Sequence, residues 1–358
     1  MNNLFETYRN QAVKNVPKNF SGTVKWQSPS NIALTKYWGK SGNQLPRNPS
    51  ISFTLQQART ETSIAFEQAP ITKIDFLFEG KNEPVFEQKI SNFLMSLNPC
   101  FPFLDKLKLT INSRNTFPHS SGIASSASAM SALVLCLLDI ERLLSGKEII
   151  DLRKASFFAR LGSGSACRSV FEKLALWGEM AIVPESSNEY AVPLADILHP
   201  NFQMYHDSIL IVSAEKKMIS SSIGHALMND NPFAETRYES AKKHTETLLQ
   251  TLKTSDYTDF IRIVEAEALQ LHALMLCSEP SFILLKPNTL QIIEKVRAFR
   301  SETDIPLCFT LDAGPNVHLL YPEQYKEQIH HFINNELLVF CHEKQWISDS
   351  LGNGPSSI

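Results

Sequence analysis

From Phe117 the chain runs through Pro118-His119-Ser120-Ser121-Gly122-Ile123-Ala124-Ser125-Ser126-Ala127-Ser128. A few residues later it enters the apolar run Ala132-Leu133-Val134-Leu135-Cys136-Leu137-Leu138. A small-residue loop that opens onto such a run predicts a helix buried in a core, with its N-terminus at the end of the loop. Small side chains let the backbone approach a ligand closely. The free N–H groups and positive dipole end of the first turn attract an anion. Ser125 and Ser126 add hydroxyls suited to phosphate or Mg²⁺. No Gly-Lys-Ser/Thr follows, so this is not a Walker A loop. The same string also suits a helix that simply packs tightly on a sheet, and alone it does not choose between the two.

The flanking pattern mixes strands and helices. Thr23–Trp26 and Ile51–Leu55 read as short strands. Ile74, Phe76 and Phe78 alternate with Lys73, Asp75 and Leu77 before the turn Glu79-Gly80-Lys81-Asn82, a hairpin signal. Leu107, Leu109 and Ile111 alternate likewise. Val85–Leu97 and Ile149–Leu161 have helical spacing. Beyond Pro193, Ser208–Ser213 reads as a strand, and Glu239–Leu252 and Tyr257–Leu276 as helices. Thr289–Phe299 reads as a further helix, with Asn288 or Thr289 as its N-cap. Leu307–Leu311 and Val317–Tyr321 read as strands, and Pro322–Leu337 as a closing helix. Strict β-α alternation is missing, so the expected class is α+β. The expected division is an N-terminal extension (1–21), a first domain (22–196) and a second (197–358). The Gly/Ser/Pro-rich tail, 352–358, reads as disordered.

Composition narrows the function. The 358 residues carry a net charge of −3, so no global basic field favours nucleic acid or an anionic membrane. A small anionic substrate would need a local cluster of basic groups. Six cysteines without a C-x-x-C pair suggest neither a zinc ribbon nor a disulfide scaffold, and they fit the reducing cytosol. No signal-peptide pattern opens the chain, and no apolar run is long enough to suggest a membrane span. The histidines show no H-E-x-x-H spacing, and His330-His331 reads as a solvated face. No structural metal is expected.

Three further segments could carry chemistry. Ser30-Asn31-Ile32-Ala33-Leu34-Thr35-Lys36-Tyr37-Trp38-Gly39-Lys40 sets two lysines four apart around an aromatic pair. They could gather phosphate and carboxylate charge, or be surface lysines beside a packed Tyr-Trp. Arg160-Leu161-Gly162-Ser163-Gly164-Ser165-Ala166-Cys167-Arg168-Ser169 offers N–H groups, hydroxyls and a guanidinium able to hold a carboxylate bidentately. It could also be a Gly/Ser linker. Thr310-Leu311-Asp312-Ala313-Gly314-Pro315-Asn316 puts a carboxylate at the end of an apolar strand, as a base or as the start of an Asx-turn.

Read together, these segments resemble the mevalonate diphosphate decarboxylases of the GHMP kinase superfamily. The family's strings N-I-A-x-x-K-Y-W-G-K, L-P-x-N-x-S-I-S-x-T-L, F-P-x-x-x-G-L-A-S-S-A, G-S-G-S-A-C-R-S and T-x-D-A-G-P-N occur in order. They match Asn31–Lys40, Leu45–Leu55, Phe117–Ala127, Gly162–Ser169 and Thr310–Asn316. The resemblance implies an N-terminal domain like ribosomal protein S5 domain 2 and a ferredoxin-like C-terminal domain, with the active site between them. It also implies a cytoplasmic homodimer, with ATP and Mg²⁺ as cofactors.

By the same resemblance, Asp312, Lys36 and Arg168 are the catalytic set. Asn31, Tyr37, Lys40, Ser163, Gly164, Ser165 and Ser221, with Arg168, bind mevalonate 5-diphosphate. Ser121, Gly122, Ile123, Ala124, Ser125 and Ser126 bind ATP. Mg²⁺ is held by the ATP phosphates, with Ser126 as a further ligand. Three places depart from the pattern: His119-Ser120-Ser121, Pro49, and Glu172-Lys173 where two glycines usually follow C-R-S. The last puts bulky charged residues next to the substrate arginine in sequence, so altered packing and substrate choice are expected there. Neighbouring readings are a phosphomevalonate decarboxylase, a plain GHMP small-molecule kinase, and a non-catalytic sensor. The retained Asp312, Lys36 and Arg168 argue against the last two.

Overall fold

The computed structural model describes residues 4–118, 123–215 and 221–358, with the backbone alone given at 221 and 222. The first sheet is built from β1 (Ser21–Ala33), β2 (Ser50–Gln68), β3 (Lys73–Phe78), β4 (Leu107–Asn115), β5 (Leu174–Trp177) and β6 (Ala191–Pro193). Its path runs Ser356–Ser357, β1, β2, β4, β3, Lys81–Asn82, and β5 joins β2 to β6. β3 and β4 are parallel and the other pairs antiparallel.

β1 and β2 are far longer than the sequence pattern suggested. From Ala58 to Phe66 every second residue of β2 is buried. Two of those core positions are Thr60 and Thr62, so the period of two is present but its hydrophobic contrast is weak. Their hydroxyls find partners, Thr60 at Ser128 (2.6 Å) and Thr62 at Ser113 (3.0 Å), which makes threonine tolerable in a core.

Four helices are associated with this sheet: α1 (Leu4–Asn10), α2 (Pro84–Leu97), α3 (Ser125–Ser145) and α4 (Leu152–Gly162). α3 is buried almost continuously from Ala127 to Glu141, as its apolar run predicts. Its buried charges are paired. Trp26 Nε1–H donates to Asp139 at 2.9 Å, and Lys154 donates to both Glu141 oxygens at 2.7 and 2.6 Å. α4 is capped by Asp151, which accepts from the Lys154 N–H at 3.1 Å.

The second half supplies β7 (Tyr205–Leu210), α5 (Ser221–Ala226), α6 (Ala234–Thr254), α7 (Tyr257–Leu276) and α8 (Pro287–Thr303). These are followed by β8 (Cys308–Leu311), β9 (Val317–Pro322), α9 (Lys326–Phe332) and β10 (Trp346–Ser350). The strands form an antiparallel sheet in the order β8-β9-β7-β10. Two large separate sheets with helices, and a small hairpin pairing Lys40–Ser41 with Leu45–Pro46, make the class α+β, as expected.

Several local expectations shift. α8 begins at Pro287 with Lys286 as its N-cap, not Asn288 or Thr289. Thr289 instead sits in the first turn and accepts the Lys286 N–H at 3.3 Å. β7 ends at Leu210 rather than Ser213. The closing helix ends as α at Phe332 and continues as a π-turn through Leu337. His330 is half-buried, 3.1 Å from the Tyr321 hydroxyl, and is not a solvated residue.

The tail is ordered. Ser356 and Ser357 pair with Gln27 and Trp26 of β1. The reason lies in a break in β2. Pro29 pairs with Arg59 but Asn31 pairs with Thr54, so the intervening residues of β2 lose their ladder partners on β1. The N–H groups of Gln56, Gln57 and Ala58 turn to the carboxylate of Asp349 on β10, at 2.8, 2.8 and 2.7 Å. The Gly352 N–H donates to Thr54 O at 2.8 Å, and the Lys173 N–H donates to Gly352 O at 2.9 Å. The end of the chain thus stitches the two sheets together, because buried backbone donors must be satisfied.

Candidate active site

The end of β1, the turn after α4, the start of α3, helix α5 and the turn after β8 converge on one cleft of about 230 Å³. Asn31, Lys36, Tyr37, Lys40, Ser163, Gly164, Ser165, Arg168, Ala124, Ser126 and Asp312 all line it. Residues more than 270 positions apart in sequence meet here. Lys36 Nζ donates to Asp312 Oδ1 at 3.1 Å, across the boundary between the two sheet systems.

Lys36 is 2% exposed. Burial pulls its pKa below the ordinary lysine value, and the charge and hydrogen bond of Asp312 oppose that fall. Its backbone N–H donates to Glu267 Oε2 at 2.8 Å. Glu267 is fully buried on α7. It takes two hydrogen bonds from Arg237, at 3.0 and 2.5 Å, and lies 2.5 Å from His244 Nδ1. Asp312 is held from behind as well: His272 Nε2 lies 3.1 Å from its carbonyl, and the Gly314 N–H donates to that carbonyl at 2.7 Å. A buried cation and a partly open carboxylate therefore face each other on a rigid support.

Arg168 is also 2% exposed. Its Nε and one terminal nitrogen donate to Asn31 Oδ1 at 3.4 and 3.2 Å, and the other terminal nitrogen donates to Ser50 Oγ at 2.7 Å. Asn31 in turn donates to Ser169 Oγ at 2.7 Å. A guanidinium has five N–H bonds, so N–H groups on its terminal nitrogens remain for a ligand in the cleft. Cys167 beside it is no nucleophile, since burial pushes its thiol up to about 12. The Tyr37 hydroxyl is buried and has no hydrogen-bond partner among the described residues. Gly164 lies directly beneath it: a Cβ there would stand 2.9 Å from both the Tyr37 hydroxyl and the Trp177 ring.

Among the described residues no side chain caps the start of helix α3. Ala124 takes the left-handed conformation (φ +38°) and gives no side-chain cap, a strained state for alanine. Ser30 Oγ donates to the Ile123 carbonyl at 2.7 Å and pins the turn. The Ile123 side chain itself belongs to the core. Ser126 faces the cleft, with its Oγ 3.3 Å from Ser163 Oγ. Ser125 faces a second, apolar pocket of about 100 Å³ that Phe76, Phe78, Phe86 and Met130 also line. Ser121 and Gly122 lie outside the described residues. Of Ser221 the backbone alone is described, at the start of α5.

Glu172 and Lys173 do not line the cleft. Lys173 takes φ +50°, and its Nζ donates to Gln203 Oε1 at 2.6 Å at the seam with the C-terminal strand. The positive φ suits the glycine usual there, and neither side chain touches the cleft that would receive substrate.

Two titratable cleft residues escaped the motifs. Lys89 of α2 lines both pockets, and burial and then Lys40 lower its pKa. His225 of α5 closes the wall beside Lys40. Neither stands in a distinctive string, because each reaches the cleft only through the packing of its helix. Among the described residues no cluster of His, Cys, Asp and Glu could hold a metal, and no helix is long and apolar enough to cross a membrane.

Two sheets with a helix N-terminus and clustered basic groups at the cleft between them match the solved structures of mevalonate diphosphate decarboxylases, which have the GHMP kinase fold. Residues 28–187 match the family model for the diphosphomevalonate decarboxylase-like N-terminal domain. Residues 208–353 match that for the mevalonate 5-diphosphate decarboxylase C-terminal domain. The chain belongs to the diphosphomevalonate decarboxylase family. It is 31% identical to the Candida albicans diphosphomevalonate decarboxylase, over 84% of this chain and 85% of that protein. The Staphylococcus aureus mevalonate diphosphate decarboxylase structure superposes with a TM-score of 0.81 at 28% identity, covering 95% of this chain and 98% of the other. A structure described as a complex with MVAPP, AMPPCP and magnesium superposes with a TM-score of 0.78 at 28% identity, covering 95% and 99%.

Proposed function

We propose that the protein catalyses the ATP-dependent decarboxylation of mevalonate 5-diphosphate to isopentenyl diphosphate, ADP, phosphate and CO₂, by way of 3-phosphorylation. The observation that carries this reading is the buried Lys36–Asp312 pair, 3.1 Å apart, in a cleft that Arg168, Lys40 and Lys89 also line. Family membership and the related complex with MVAPP, AMPPCP and magnesium support the same substrate and cofactors.

The residues present suit a nucleotide with its metal. The uncapped start of α3 and the Ser126 hydroxyl offer donors to phosphates, and the adjoining pocket with Phe76, Phe78 and Phe86 suits a flat base. ATP supplies the phosphoryl group, and magnesium bound to its phosphates neutralises charge there. Ser126 is the candidate for an additional contact to that ion.

The chain's own groups do the rest. Asp312 accepts the proton of the tertiary hydroxyl or orients it. Lys36 donates a hydrogen bond to Asp312 and lies close to the developing negative charge. Arg168 grips the substrate carboxylate through its remaining N–H groups, so the carbon–carbon bond that breaks is held in place until CO₂ leaves. Asn31 fixes that guanidinium. Tyr37, Lys40, Lys89, Ser163, Ser165 and the Gly164 N–H receive the diphosphate, and Ser221 is a further candidate. Burial of the site limits capture of the cationic centre by water. We read residues 22–196 as the ATP-binding unit and 197–358 as its partner across the cleft. Six unpaired cysteines support a cytoplasmic location, and the family resemblance supports a homodimer.

The test is an assay of purified protein with ATP, Mg²⁺ and mevalonate 5-diphosphate that follows CO₂ and ADP together. Equal release of both is expected. In Asp312→Asn, turnover should fall by about a thousandfold while the protein still binds ATP. ADP without CO₂ would establish a kinase instead. Turnover of mevalonate 5-phosphate in place of the diphosphate would establish the phosphomevalonate decarboxylase.

A further inference from the structure

His225 has no task in the mechanism above, yet it is built into the cleft. It is 8% exposed, and its ring lies between Tyr37 and Trp38 with centroids 4.4 and 4.7 Å away. The Gly39 backbone N–H donates to its Nδ1 at 3.0 Å. That contact depends on glycine. Gly39 takes φ +94°, and a Cβ would stand 2.1 Å from the Tyr238 hydroxyl.

An Nδ1 that accepts leaves the proton of the neutral ring on Nε2. The Gly39 N–H is the hydrogen-bond partner of this ring among the described residues, which leaves the Nε2–H for whatever enters the cleft. Burial, and then the charge of Lys40, pull the pKa of His225 down to about 3, so the ring stays neutral throughout the physiological range. A neutral donor has a physical advantage here. Lys40 and Lys89 already repel one another, an effect that adds to the burial lowering the Lys89 pKa. A third cation would worsen that repulsion, whereas an N–H adds a directed hydrogen bond without charge.

We propose that His225 is a specificity-determining substrate contact whose Nε2–H donates to the phosphate tail that Lys40 and Lys89 attract. The proposal rests on the reading of this cleft as a diphosphate site. A hydrogen bond to a charged group, once lost, weakens binding by about tenfold or more.

The experiment has two arms. In the first, protein with ¹⁵N-labelled histidine is titrated with inorganic pyrophosphate and then with mevalonate 5-diphosphate while the His225 Nε2–H signal is followed. Both should move it. In the second, steady-state kinetics compare His225→Asn, His225→Gln and His225→Phe. Asparagine keeps an acceptor for the Gly39 N–H but lacks a donor at the Nε2 position, so KM for the substrate should rise about tenfold or more. Its kcat and its KM for ATP should change less than about twofold. Glutamine, whose amide reaches the Nε2 position, should recover most of the affinity. Phenylalanine loses both contacts and should also lower the melting temperature.

An Nε2 signal unmoved by pyrophosphate, or a His225→Asn enzyme with unchanged KM, overturns the proposal. So does an equal loss of affinity and melting temperature in the asparagine and glutamine variants, which would make the ring a structural filler. If the wild type fails to turn over mevalonate 5-diphosphate while pyrophosphate still moves Nε2, the donor stands and the assigned substrate falls.

Discussion

Glu267→Gln tests how the buried charges support the reacting pair. Glu267 is fully buried and bonds Arg237, His244 and the Lys36 N–H at once. Arg237 is only 5% exposed. Glutamine keeps the shape but removes the counter-charge, and it turns one oxygen into a donor facing other donors. Removing one partner of such a buried pair costs about 3–5 kcal/mol. Unfolding entropy of about 2.1 cal/mol/K per residue, over a chain of 358 residues, gives roughly 0.75 kcal/mol per degree. The melting temperature should therefore fall by about 4–7 °C.

Catalysis should suffer as well, because Lys36 carries both the anchored N–H and the ammonium that meets Asp312. A displacement of about 1 Å there lowers kcat by roughly a hundredfold. Burial pushes the Glu267 carboxyl up, but Arg237, His244 and the Lys36 N–H together hold it below the usual range. Its stabilising effect is thus present above the unfolded carboxyl pKa and disappears as pH falls through the lowered folded value. The gap in melting temperature between wild type and mutant should stay level from neutral to mildly acid pH and close only in stronger acid. Scanning calorimetry across pH, paired with steady-state kinetics, reads both effects. A mutant that melts within about 1 °C of wild type, or a gap that closes near neutrality, would refute the account. Removing both charges, with Arg237→Gln added, should recover much of the stability.

The alkaline limb of kcat/KM should fall at a pH below the ordinary lysine value of 10.5, because burial lowers the Lys36 pKa more than Asp312 restores it. Activity needs the ammonium, so it declines as pH rises through that lowered value. Lys36→Arg should move the limb to higher pH, and an unmoved limb would exclude Lys36 as its source. Lys173→Gly should leave both KM values unchanged, since Lys173 lies outside the cleft. It should also relieve left-handed strain of about 1 kcal/mol, offset in part by loss of the Gln203 contact, as denaturant titration would show. A raised KM in that variant would place Lys173 in the site after all.

The sequence by itself determined the class of fold and the identity of most cleft residues. The strings from Asn31, Gly162 and Thr310 are contiguous, so backbone geometry delivers each as a unit wherever the fold puts it. The run from Ala132 to Leu138 had to be buried, and it is. Tertiary structure decided which chemistry those strings share. Lys36 and Asp312 become a pair only because the turn after β8 docks on the end of β1, and nothing local signals that contact. Lys89 and Glu267 lie on helices that read only as ordinary helical segments, and His225 lies on a short helix that the sequence pattern did not reveal; their roles come from what packs against them. The tail misled for the same reason. Gly, Ser and Pro have little tendency toward structure of their own, yet the unpaired N–H groups at the break in β2 and the exposed edge of β1 need partners. Asp349 of β10 reaches the first, and Ser356 and Ser357 pair with the second. Local sequence encodes propensities and short motifs, whereas burial, and the pairing that burial enforces, exists only once distant segments meet.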